Sequence, residues 1–191
     1  MKPLQTVFLF FIVFSTATFA FLQKRLNVEA ALEQSSEVFL AEVKSVQTIL
    51  TPQGPRLKTM FLVKEVYAGQ TKTNETISIV QNLKKTKGEK RAGSMLEAPR
   101  FESKEQLILM LKKNARGVFL SPPKTHVFRL QKYNAQEVVI NNDLDLEFSG
   151  IQKKETQALK SKMVLNKHTD AKNVSTVLKS DFVQWIRSVK Q

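Results

Sequence analysis

Leu96-Glu-Ala-Pro-Arg-Phe-Glu-Ser-Lys-Glu-Gln-Leu-Ile-Leu-Met-Leu-Lys112 is the stretch on which the reading of this 191-residue chain turns. A loop marked by Pro99 runs directly into Gln106 to Leu111. In an extended backbone Leu107, Leu109 and Leu111 fall on one face, and Ile108 and Met110 on the other. Apolar on both faces, the segment predicts a central strand covered on both sides.

The neighbouring segments can be read as its partners. Asn27 is placed to cap a short helix whose Val28, Ala31 and Leu32 share one side, with Leu26 set to staple against Ala31 and an end near Ser35. Val38, Phe39, Leu40, Ala41, Val43 and Val46 then read as a long strand, first apolar on both sides and later alternating. Thr51-Pro52-Gln53-Gly54 suits a type I turn, so the chain folds back over Leu57 to Tyr67. Phe61, Val63 and Val66 break strict alternation, which predicts a bulge near Lys64-Glu65. Ala68-Gly69 stops this strand, and Thr76 to Gln81 alternates as a third.

Downstream, Gly117 to Leu120 leads to the stiff break Pro122-Pro123, and Val127 to Tyr133 with Glu137 to Ile140 predicts a closing hairpin across Asn134-Ala135. Strands at this spacing predict a mainly β fold, a small sandwich or barrel. Beyond Gly150, Gln152 to Asp170 reads as a helix followed by linker. Val174, Val177, Leu178, Phe182, Trp185, Ile186 and Val189 recur at helical spacing, with Ser180 capping a final helix from Asp181.

The first residues have the character of a secretory leader. Lys2 precedes the apolar run Val7 to Phe14 and the small residues Ser15, Thr16, Ala17, Thr18 and Ala20, predicting cleavage after Ala20, with Ala17 as the alternative. The run is shorter than the roughly 20 residues that cross a bilayer, so no retained anchor is expected. The mature chain is then expected in the periplasm or outside the cell. There is no Cys, which removes thiol nucleophiles, thiolate zinc sites and a lipidated cysteine anchor.

The formal charge is +13, or +12 without Lys2, and is carried largely by Lys. Such a surface attracts anionic polymers, headgroups or acidic proteins, while scattered Lys also keeps strand edges from pairing. The charge is densest in Lys84-Lys85-Thr86-Lys87-Gly88-Glu89-Lys90-Arg91, which has no apolar residue to bury. Lys84, Lys85, Lys87, Lys90 and Arg91 are therefore the candidate electrostatic contact residues.

No catalytic or metal constellation stands out. His126, beside a strand start, and His168, in the expected linker, are too isolated for a metal site. Asp143, Asp145 and Glu147 alternate, but no glycine-centred calcium turn accompanies them. There is no Gly-x-Ser-x-Gly elbow, Ser103-Lys104 lacks the supporting second motif, and no glycine-rich phosphate loop occurs. Asn74-Glu75-Thr76 and Asn173-Val174-Ser175 match the glycosylation pattern, which matters only in a eukaryotic secretory route. No cofactor is implied.

Ser36-Glu37-Val38-Phe39-Leu40-Ala41-Glu42-Val43, Val63-Lys64-Glu65-Val66-Tyr67-Ala68-Gly69, and Ala98-Pro99-Arg100-Phe101 before Glu105 to Leu111 together resemble a family of uncharacterised secreted bacterial proteins. Those proteins have a barrel similar to the netrin-like domain of metalloprotease inhibitors (TIMP-like), an OB-type fold. The resemblance covers roughly Leu26 to Leu130, and Ser180 to Ser188 is similar to the family's closing helix. It departs at Ala41, where the family tends to have Gly, at the Lys-rich loop that replaces a Gly-rich one, and at Pro122-Pro123 in place of a Gln-Gly pair. The animal inhibitors chelate zinc through an N-terminal Cys that this chain lacks.

The expected division is 1–20 signal peptide, 21–36 N-terminal helical segment, 37–150 β-barrel, which the resemblance implies is OB-type, and 151–191 linker and C-terminal helices. The expected function is a non-catalytic extracytoplasmic binding module, protein-binding or inhibitor-like and monomeric. Alternatives are a basic polyanion-binding or cell-envelope-binding protein and a hydrolase. The expected partner is an unidentified protein or an anionic envelope component. Nucleic acid is not expected, because the Phe residues fall where the core needs them rather than spaced for base stacking.

Overall fold

A computed structural model describes residues 25–82, 99–133, 135–141, 145–147, 154–161, 164–169 and 172–190. The expected leader and the segment Lys84 to Arg91 lie outside them. The strands are β1 (Arg25–Asn27), β2 (Glu37–Thr51), β3 (Gly54–Ala68), β4 (Thr76–Asn82), β5 (Gln106–Leu111), β6 (Val127–Tyr133), β7 (Gln136–Ile140), β8 (Asp145–Glu147), β9 (Val164–Thr169) and β10 (Lys172–Leu178). The helices are α1 (Val28–Gln34), α2 (Lys154–Ser161) and α3 (Lys179–Lys190).

The fold is mainly β. One antiparallel sheet runs in the order β4-β3-β2-β5-β6-β7-β10-β9, and β1 and β8 form a separate parallel pair. The end strands β4 and β9 do not pair, so the sheet is open rather than the closed barrel expected from the sequence. The edge of β7 that a closing strand would need is occupied by β10, with Val177 opposite Val139 and Leu178 opposite Val138.

β5 lies between β2 and β6, and Leu107, Ile108, Leu109, Met110 and Leu111 are all buried. Ile108 and Met110 join Val38, Leu40, Phe128 and Val139 on the face covered by α1 and α3. Leu107, Leu109 and Leu111 join Phe39, Ala41, Val43, Phe61 and Ile79 on the other face, which the loop residue Phe101 covers. The Phe101 ring meets Phe61 edge-on at 5.0 Å. Each fully buried aliphatic or Phe side chain contributes about 1.5–3 kcal/mol, so the two clusters make β5 the strand on which both layers depend.

Local features follow the residue types. Asn27 Oδ1 accepts from the Ala30 amide at 3.0 Å and starts α1, which ends at Ser35 as expected. The β2–β3 hairpin closes with Thr51 opposite Gly54. Its register shifts at Lys64, as the sequence predicted, and also at Tyr67 and Lys44, which it did not. The bulges let one long hairpin twist while keeping Phe39 and Phe61 on the same side.

Two further expectations are corrected. Within Gln152 to Asp170 the structure has the short helix α2 and then β9, so His168 lies in a strand and not a linker. Val174, Val177 and Leu178 belong to β10, and the final helix begins at Lys179. The spacing of these apolar residues fits a helix, but the β-branched Val174, Thr176 and Val177 suit a strand, and the open edge of β7 gives that strand a partner. From there the helical reading holds: Phe182, Val183, Trp185 and Ile186 are buried, with Phe182 5.2 Å from Phe128 and 5.7 Å from Trp185.

Candidate functional site

Where β2 begins and β5 ends, the chain builds a compact loop from Lys112 to Leu120. The Asn114 carbonyl accepts from the Gly117 amide at 2.9 Å, and Asn114 Oδ1 accepts from the amides of Arg116 and Val118 at 2.9 and 3.0 Å. Gly117, at φ +75°, takes the left-handed position that closes a three-residue hairpin turn. The Asn114 amide donates to the Val118 carbonyl and the Leu120 amide to the Lys112 carbonyl, both at 2.9 Å. Lys113 and Phe119 pair across the hairpin.

Alternation then divides the side chains. Phe119 turns inward, edge-on to Phe39 at 6.0 Å, with the Lys113 ammonium 4.8 Å from its ring centre. Val118 and Leu120 turn outward and remain 56% and 44% exposed. Between Lys112 and Lys124 the sequence carries Lys112, Lys113, Arg116 and Lys124 and no acid. The result is two protruding aliphatic side chains among cations.

The loop is anchored by a buried carboxylate. Glu37 accepts from the Gln70 and Thr71 amides, each at 3.0 Å, and pairs with Lys113 at 2.8 Å. Burial opposes its ionisation, but Lys113 and the donors of Thr71 and Gln70 outweigh that, and the carboxyl sits below its usual range. Close by, Lys190 donates to the Ser35 carbonyl at 2.7 Å, and burial holds this ammonium below the usual lysine range.

A concavity of about 610 Å³ lies between β3, β7 and α3, lined by Glu65, Gln136, Glu137, Lys179, Gln184 and Arg187. Lys179 bridges Glu65 and Glu137 at 3.3 and 3.2 Å, and Tyr67 donates to Glu65 at 3.2 Å. Burial, and then Glu65, push the Tyr67 hydroxyl well above its usual range. Two carboxylates converge here, which is the arrangement a glycoside-type hydrolase uses. In such an enzyme, however, a water or sugar stands between them, whereas here an ammonium fills that place. Both glutamates are also well exposed. The cleft fastens α3 to the sheet.

The residues singled out in the sequence fare differently. Lys84, Lys85, Lys87, Lys90 and Arg91 lie outside the described residues. His126 ends a short 3₁₀ turn with Nδ1 2.9 Å from the Thr125 hydroxyl, and burial lowers its pKa. Asp145 and Glu147 lie in β8, and Asp143 lies outside the described residues. Among the described residues no group of three or more His, Asp or Glu is placed to hold a metal ion, and no helix is long and apolar enough to cross a membrane.

The sequence reading passed over the Lys112–Leu120 loop. Its signals were Asn114 three residues before Gly117, and the alternation Val118, Phe119, Leu120 after a run of cations. No family model, curated protein or solved structure matches this chain.

Proposed function

We propose that the protein is a non-catalytic binding module, acting outside the cytoplasm, that docks by the Lys112–Leu120 loop onto an anionic lipid surface of the cell envelope. The observation that carries this reading is the outward pair Val118 and Leu120, held on a hydrogen-bonded hairpin with Lys112 and Arg116 beside them. A soluble polyanion would engage the cations alone. The aliphatic side chains gain only where an apolar layer lies beneath the charge.

About half of each aliphatic side chain is available, which is worth roughly 1 kcal/mol apiece. Each cation near an anionic leaflet adds about 1 kcal/mol. Four such groups give about 4 kcal/mol, equivalent to millimolar, reversible attachment. Lys84, Lys85, Lys87, Lys90 and Arg91 would add to this if they meet the same surface. The finer reading of the fold belongs to the same proposal: an OB-type, netrin-like barrel opened beside β7, whose interior is the cluster beneath Phe101. The pairing of β5 between β2 and β6 supports that reading.

The test is flotation with vesicles of phosphatidylcholine alone and with added phosphatidylglycerol. Binding to the anionic vesicles should fall with salt and should be lost in the Val118→Ser/Leu120→Ser variant, while that variant keeps its retention on a heparin column. Equal vesicle binding by this variant and the wild type, at matched melting temperatures, would overturn the proposal. Loss of binding only in a Lys84→Glu/Lys85→Glu/Lys87→Glu variant would move the contact to that segment.

A further inference from the structure

At the opposite end of β2 the sheet is left unfinished. β5 accompanies β2 only from Glu37 to Glu42, and the last bonds on that side are those of Val43 with Glu105 and Lys104, at 2.9 and 2.8 Å. β3 continues with β2 as far as Thr51. From Ser45 to Thr51, no described strand pairs with the other side of β2.

Chain chirality identifies the open backbone groups. In one strand, residues whose side chains share a face also direct their N–H and C=O to the same edge. Phe39, Ala41 and Val43 face the inner cluster, and Val43 bonds toward the β5 side. The bulge at Lys44 shifts the alternation by one, and Val46 then packs against that cluster. Val46, Thr48 and Leu50 are therefore the residues whose amides and carbonyls point out of the open edge.

The side chains around this edge have a defined chemistry. On the inner face Val46 is partly buried and Leu50 is 88% exposed. On the outer face Lys58 lies opposite Gln47, and Arg56 opposite Ile49. From Val43 through Phe61 the sequence carries Lys44, Arg56 and Lys58 and no Asp or Glu. No Pro stands within Ser45–Thr51, and none of its residues is charged, so neither of these two devices against strand addition is present in that segment.

We infer that the edge Val46–Leu50 accepts an extended segment of a partner protein as an added antiparallel strand. The segment alternates apolar residues, set beside Val46 and Leu50, with acidic residues set beside Gln47 and Ile49, over which the long side chains of Lys58 and Arg56 reach from β3. Main-chain bonds to the three open residues supply affinity, and the alternation supplies choice of partner. A second copy of this chain would not supply those acids, since Val43 through Phe61 contains no Asp or Glu.

The experiment uses the full chain with a seven-residue peptide alternating Val and Glu. Control peptides are one alternating Val and Lys, and the Val/Glu peptide with backbone N-methyl groups at alternate residues. Saturating Val/Glu peptide should slow amide exchange at Val46, Thr48 and Leu50, while the Val/Lys peptide should not. Each blocked peptide amide that faces the edge should weaken binding about two- to tenfold. Arg56→Glu/Lys58→Glu should reverse the preference between the two charged peptides. Exchange at Val46, Thr48 and Leu50 that is already slow in the free protein, or that no peptide changes, would overturn the inference. So would a concentration-dependent dimer that protects the same amides.

Discussion

Replacing Gly69 with Ala should cost far more stability than replacing Gly54 with Ala, although both glycines have nearly the same backbone angle, φ +104° and +108°. In each case a side chain forced to that angle costs about 1–3 kcal/mol. At Gly54 a new Cβ meets nothing within 4 Å, so that cost stands alone. At Gly69 the Cβ would lie 2.6 Å from Glu37 Cδ and 2.8 Å from the Ser36 carbonyl oxygen. The carboxylate would have to retreat from the Gln70 and Thr71 amides that it accepts from. One buried donor left without its partner costs a further 1–3 kcal/mol or so, giving a total of about 2–6 kcal/mol. Urea denaturation followed by far-ultraviolet circular dichroism should show the Gly69→Ala midpoint below that of Gly54→Ala by about 1 M, with a slope of about 1–3 kcal/mol per molar. A Glu37→Gln/Gly69→Ala double variant should lose less than the sum of the single losses, because both changes act on one carboxylate. Equal midpoints for the two Ala variants would refute the reasoning, leaving backbone strain as the whole effect.

Leu109→Ala, in the doubly covered strand, should destabilise by about 2–5 kcal/mol through lost burial and a cavity, whereas Leu50→Ala at the exposed hairpin tip should stay within about 0.5 kcal/mol in the same denaturation assay. Removing the chain from Ser180 onward should lower the melting temperature, because Phe182, Trp185 and Ile186 are buried; an unchanged melt would mean that α3 does not support the sheet. Burial holds His126 below its usual range, so the unfolded chain takes up the proton more readily. Stability contributed by the neutral ring should be lost as pH falls from about 6.5 toward the lower folded value, and His126→Gln should flatten that part of a stability–pH curve.

Much of the sheet was legible because its strands carry their own pattern. β5 shows two apolar faces, β4 alternates, and the hairpin announces itself through Pro52 and Gly54; even the bulge at Lys64 follows from the broken alternation of Phe61, Val63 and Val66. What the sequence hid depended on distant partners. Val174 and Val177 fit either periodicity, and only their partners, β9 for Val174 and β7 for Val177, make them a strand. Closure was misjudged for the same reason, since β10 occupies the place a barrel seam would need. The loop from Lys112 to Leu120 was obscured differently: Val118 and Leu120 resemble core residues until Phe119, between them, is seen to take the only inward position.

The helix-covered cluster has a bearing on the timing of folding. It brings Val28, Ala31 and Leu32 together with Phe182, Trp185 and Ile186, and Lys190 reaches the Ser35 carbonyl across 155 residues. Contacts so far apart in sequence close large loops and slow the search for the native state. Until α3 arrives, Val38, Leu40, Ile108 and Met110 present one continuous oily face. A chain interrupted before Lys179 would therefore have all its strands but keep this face of the sheet adhesive, a target for holding chaperones and proteases.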